Sequence, residues 1–139
     1  MAGLIWAALA SYVSVLVMPS LGAGRDLTLF PLINMALGFL FGWNMAGPRT
    51  GMGWLTAIGT AGTTTVVLVL CAVVLHAFAE MVRLAFLQRY QDASLALIDT
   101  FRISVRFLRY LYRQDVIFAL VLGSVIGGLL TEWVGRRWR

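Results

Sequence analysis

Lysine is absent from this chain, and cysteine occurs once, at Cys71. The lone thiol sits in an apolar run, so no intramolecular disulfide can staple the fold, and the thiol says nothing about compartment. All 11 basic side chains are arginine, against 6 acidic ones. Charge of either sign is scarce: 12% of residues carry it, while 60% are hydrophobic. The charges cluster around 25–26, 49, 80–115 and 132–139, in the gaps between long apolar runs. A soluble domain spreads charge over a solvated surface, whereas a bilayer confines it to turns and ends. The pattern reads as a polytopic membrane protein. Also missing are a nucleophile–base arrangement, a phosphate loop and a cysteine cluster, so the sequence reads as non-enzymatic. No soluble basic domain exists to carry nucleic acid. The net charge of +5 points instead to the lipid surface, because the guanidinium fork matches phosphate headgroups.

What is present is a set of apolar runs sized for a membrane. The length allows one domain with about four spanning helices of about 20 residues each. The fold expected is therefore an all-α membrane protein with spans near 3–21, 27–46, 54–85 and 116–134. Met1-Ala2-Gly3 has no basic n-region, so the first run is expected to be a retained helix rather than a signal peptide. Pro31 falls in the first turns of the second span, where a missing N–H costs least. The loop Gly47-Pro48-Arg49-Thr50-Gly51-Met52-Gly53 is the clearest turn signal. The third run is too long for one crossing. At about 1.5 Å per residue it reaches roughly 48 Å, against a hydrocarbon core of roughly 30 Å. It is expected to start in the interface at Trp54 and to protrude on the far side through Glu80 and Arg83.

Arg102, Arg106, Arg109 and Arg113 are spaced by four, three and four, which places them in one stripe on a helix. Around them lie Phe101, Ile103, Val105, Phe107, Leu108 and Tyr110, among other apolar residues. This division predicts an amphipathic interfacial helix near 95–114, between the third and fourth spans. The tail Gly135-Arg136-Arg137-Trp138-Arg139 has the composition of a headgroup anchor. Arginines fall on both sides of a four-span topology, with a slight excess on the side of the stripe. The positive-inside rule therefore leaves orientation open.

Gly38-Phe-Leu-Phe-Gly42 and Gly123-Ser-Val-Ile-Gly127 are GxxxG patterns inside apolar spans, and Asn34 and Ala46 extend the first. Glycine lets a second helix approach the backbone closely, so Asn34, Gly38, Gly42, Ala46, Gly123 and Gly127 are expected to pack helices, within the chain or onto a partner. His76, Glu80 and Arg83 share a helix face. Two potential ligands do not make a metal site, and the expectation is a Glu80–Arg83 pair with His76 as a polar packing residue. Glu132 needs a partner if buried, and Arg49 lies on the same side of the membrane. The hydroxyls of Thr60, Thr63, Thr64 and Thr65 can return to the helix backbone.

Gly38-x-x-x-Gly42-Trp43, Gly47-x-Arg49-x-Gly51-x-Gly53, Glu80-Met81-Val82-Arg83-Leu84-Ala85 with Arg89-Tyr90, and Glu132 with the tail Arg136-Arg137-Trp138-Arg139 occur here in one order. From the second span onward the chain thereby resembles the TrgA family, small membrane proteins of purple-phototroph alphaproteobacteria named for tellurium (tellurite) resistance. The arginine stripe departs from the more acidic segment expected of that family. The resemblance implies the bacterial inner membrane, cytoplasmic or intracytoplasmic. Small size, glycine faces and aromatic content suggest an accessory subunit of a larger complex, and with the resemblance a photosynthetic core or respiratory host. Its partners would be other subunits and membrane lipids. Bound lipid is expected; a pigment or quinone contact is possible, and no metal or other cofactor is expected. The alternative is an oligomeric oxyanion transporter or metalloid-resistance protein.

Overall fold

The computed structural model describes residues 1–21, 28–87 and 92–137, and every regular element among them is helical. Helix α1 covers Ala2–Val17 and tightens into a 3-10 turn at Met18–Leu21, around Pro19. Helix α2 covers Phe30–Phe41, with Pro31 in its first turn, where its missing N–H leaves no ladder bond unmade. The chain then passes through a π turn, Gly42–Ala46, and a 3-10 turn, Gly47–Arg49. Helix α3 is unbroken over Trp54–Phe86, α4 covers Ala93–Leu111, and α5 covers Gln114–Arg137. Three segments, Ala2–Leu21, Trp54–Phe86 and Gln114–Arg137, are long and apolar enough to cross a membrane.

The second expected span takes a different form. Its regular helix stops after 12 residues, and the wider π turn carries the chain onward. Trp6 coincides with this change. Its side chain is fully buried, and a Cβ built on Gly42 would lie 2.5 Å from its Cδ1. A π turn adds a residue to the helical circuit and is one of the recognised sources of a helix kink. The first residue of this span, Leu27, and the break before it, 22–26 with Arg25 and Asp26, lie outside the described residues. Arg89 does too.

Helix α1 packs against both α2 and α5, while α3 packs against α5 and α4. Between α1 and α2 the backbones come close enough that a Cβ on Gly38 would meet the Trp6 carbonyl oxygen at 2.5 Å. Gly123 and Gly127 receive Leu9 and Ile5 of α1, and Gly128 lies against Ala57 and Ala61 of α3. Both glycine faces named above are thus used inside the chain. Lipid tails are as apolar as leucine, so this close fit contributes dispersion that helices separated by lipid would lose. Leu4, Val15, Leu55, Val66, Phe118 and Val121 point outward on the three long helices. So large an exposed apolar surface belongs in hydrocarbon or under a partner.

Helix α4 also departs from expectation. It ends at Leu111, and Gln114 already begins α5. It folds back along the second half of α3, with Ile103 buried against Ala77 and Leu84, and Phe107 close by. Its apolar residues divide into two sets. Ile103 and Phe107 face α3, whereas Phe101, Val105, Leu108 and Tyr112 are exposed on another side.

Glycine close approach gives the first prediction. Gly38→Ala should destabilise the protein by about 1–3 kcal/mol through overpacking. Gly59→Ala has no neighbour within 4 Å of the new methyl and should be neutral or slightly stabilising. Thermal unfolding in mild detergent compares them, and equal midpoints would refute the packing assigned to Gly38.

Candidate functional site

A chain of hydrogen bonds crosses three helices near one end of the bundle. Ser14 Oγ donates to the Ala10 carbonyl at 2.7 Å, a return to the backbone within α1. Asn34 Nδ2 of α2 donates to Ser14 Oγ at 2.8 Å. Asn34 Oδ1 lies 2.9 Å from His76 Nε2 of α3. The asparagine nitrogen is engaged with serine, so its oxygen faces the imidazole and Nε2 carries the donated proton. The Phe30 ring lies over His76 with centroids 4.4 Å apart, and Phe107 stands at 6.5 Å. Asn34 therefore does lie at a helix interface, as its place on the glycine face suggests. His76 is a polar packing residue, but its partner is Asn34, one helix away.

These residues line a cavity of about 70 Å³ whose other walls are almost wholly apolar, including Leu9, Val13, Leu68 and Ala72. Helices α2 and α3 meet only sparsely, and that leaves the space between them. At about 70 Å³ the space is well below the roughly 300–1,000 Å³ of an ordinary small-molecule site.

The opposite end holds a second polar centre. Glu132 of α5 is fully buried. Its Oε2 accepts from the Gly51 amide at 2.6 Å, and its Oε1 from the Gly53 amide at 2.9 Å. Arg136, one turn further along α5, donates Nε–H to Oε1 at 2.9 Å. Gly51 and Gly53 have φ of 83° and 115°, backbone conformations that L side chains rarely adopt, and these turn both amides toward the carboxylate. The expected Arg49–Glu132 pair is not what forms. Both residues border one small cavity, but the carboxylate takes its donors from the loop backbone and from Arg136. The Arg136 guanidinium also lies 5.1 Å from the Trp54 ring centre, and that of Arg137 lies 5.5 Å from Trp133. Trp138 and Arg139 lie outside the described residues.

Glu80 and Arg83 form a two-pronged pair, with nitrogen–oxygen distances of 2.9 and 3.0 Å. His76 does not join them. No group of three or more potential metal ligands occurs among the described residues, and Cys71 is exposed. Arg102, Arg106 and Arg109 are exposed along α4. Arg113 instead ties the end of α4 to its surroundings, donating to Ser20 Oγ at 2.6 Å and to Asp115 at 2.8 Å.

Sequence reasoning missed the glycine amides as partners of Glu132 and Ser14 as a partner of Asn34. The spacing of Glu132 and Arg136 by four, with Gly51-x-Gly53 elsewhere, was the available signal for the first. Glu132→Ala would leave two loop amides without their acceptor and should lower the unfolding midpoint by several degrees, with new protease cleavage at 47–53. Arg49→Ala should leave both nearly unchanged. Equal effects of the two substitutions in thermal unfolding and limited proteolysis would restore the Arg49 pairing.

No protein-family model, curated protein or solved structure matches this chain.

Proposed function

We propose that this chain is a non-enzymatic accessory subunit of a larger complex in a bacterial inner membrane, and that it crosses the bilayer four times. The composite segment from Phe30 to Arg49 is the fourth crossing in this reading. Its support comes from the two polar centres. Glu132 meets the 47–53 loop at one end of the bundle, and Arg113 meets Ser20 at the other. Helix α4 with its arginines then lies at the second end, near lipid headgroups, while Arg136 and Arg137 anchor the first.

The observation that carries the reading is an unfilled glycine pair on the outer face of α3. Gly59 and Gly62 have nothing within 4 Å of an added Cβ, and exposed Leu55, Val66 and Leu70 continue that face. A glycine costs helix stability unless close approach compensates. Gly38, Gly42, Gly123 and Gly127 are compensated inside the chain; Gly59 and Gly62 are not. A neighbouring subunit's helix supplies that contact in the proposed assembly. Attachment through the two GxxxG faces, the expectation from sequence, gives way to attachment through α3. The resemblance to the tellurium-resistance family favours a photosynthetic or respiratory host, with resistance following from altered electron flow rather than from direct oxyanion handling.

Native-gel separation after mild detergent extraction tests this. The wild-type chain should migrate with a large complex, and mass spectrometry of that band names the host. Gly59→Leu and Gly62→Leu should fold normally yet migrate free of it. Migration of the wild type alone, or unchanged co-migration of both variants, would reject the proposal.

A further inference from the structure

The far end of α3 and the side of α4 packed on it enclose a second cavity, of about 190 Å³. Glu80 and Arg83 line it from α3, and Asp99, Arg106 and Tyr110 line it from α4. Most of its wall is polar, the reverse of the cavity beside His76. Its volume exceeds the roughly 150 Å³ of an engineered cavity that admits benzene, so a phosphate with a short amine fits.

Depth and charge narrow the ligand. Glu80 lies roughly 39 Å along α3 from Trp54, at about 1.5 Å per residue. The hydrocarbon core takes roughly 30 Å, and the bilayer with its head groups about 40–45 Å. With Trp54 at one interface, the cavity falls among the head groups of the other. Its charged lining is balanced, two guanidiniums against two carboxylates. A purely anionic head group would face both carboxylates, and a purely cationic one both guanidiniums. A head group of both signs meets a partner for each.

The donors and acceptors agree with that. Arg106 makes no hydrogen bond or ion pair among the described residues, so its planar fork is open to a phosphate. Arg83 gives two of its five N–H groups to Glu80 and keeps the others. A carboxylate has about four lone-pair sites, so Glu80 can accept from an ammonium as well as from Arg83, and Asp99 adds a second acceptor. A trimethylammonium has no N–H to give.

We infer that this cavity holds the phosphoethanolamine head of a phospholipid, the phosphate on Arg106 and Arg83 and the ammonium on Asp99 and Glu80. The site rests on the placement of α4 among head groups proposed above, but not on a host complex, so the isolated chain tests it separately.

The full chain in a phosphate-free detergent is titrated with dihexanoyl phosphatidylethanolamine, phosphatidylcholine and phosphatidylglycerol, and with inorganic phosphate. Native mass spectrometry counts the adducts. The ethanolamine lipid should saturate as a single adduct, about tenfold below the choline and glycerol lipids in concentration. Arg106→Gln should raise its half-saturating concentration about tenfold, whereas Arg102→Gln, exposed on α4 outside the cavity, should not. Asp99→Asn should erase the preference over the glycerol lipid. Both arginine variants should keep the wild-type unfolding midpoint, because both side chains are exposed. Equal saturation by the three lipids, no saturable adduct, or an unaltered titration in Arg106→Gln overturns the inference. Saturation by inorganic phosphate below the ethanolamine lipid assigns the cavity to free phosphate and overturns the lipid source.

Discussion

Apolar helices already in hydrocarbon gain nothing by leaving water, so they associate only where their surfaces fit more closely than lipid would. In this protein that fit is organised by α1. Trp6 is buried against Gly42 and under the backbone of Gly38, and Leu9 and Ile5 lie over the glycines of α5. One helix thus brings two others within backbone distance on different sides. The π turn of the second segment begins at Gly42, where the Trp6 side chain leaves no room for a Cβ. Removing bulk from one partner and adding it to the other produces a directional fit without any polar group.

Polar groups then fix what shape alone leaves free. Dispersion tolerates sliding and rotation, whereas a hydrogen bond in a low-dielectric interior has one register. Ser14, Asn34 and His76 set α1, α2 and α3 against each other at one end. Glu132 sets α5 against the loop before α3 at the other. The two centres lie at opposite ends of the bundle, so rotation of any one long helix breaks at least one of them. Thr64 between them, Thr65 beside the first and Thr131 beside the second all bond their own helix backbones, so none competes for these partners.

Sequence patterns located elements better than partners. The apolar length of the third run predicts a single protruding helix, and α3 is unbroken over 33 residues. The 47–53 turn is legible from its glycines and proline, and both GxxxG motifs mark genuine close approaches. Opposite charge suggested Arg49 for Glu132, because a sequence displays side-chain charges and conceals backbone amides. Only the left-handed conformations of Gly51 and Gly53 reveal those donors. The Asn34–His76 contact joins residues 42 apart and depends on the rotation of two helices, which no local period encodes. In α4 the set 101, 105, 108 and 112 repeats the arginine spacing one residue earlier. Its separation from the Ile103 face became visible only once α3 was in place.

The Glu132 clasp joins a turn near residue 50 to a carboxylate about 80 residues further along the chain. During biosynthesis the loop amides of Gly51 and Gly53 therefore wait for α5 to be made. Closure of that end of the bundle follows synthesis of the first four helices and waits for α5. A product truncated before α5 would insert its earlier apolar segments yet keep an open end. Such a chain would leave the Gly51 and Gly53 amides without their acceptor, so this clasp couples order in the loop to arrival of α5.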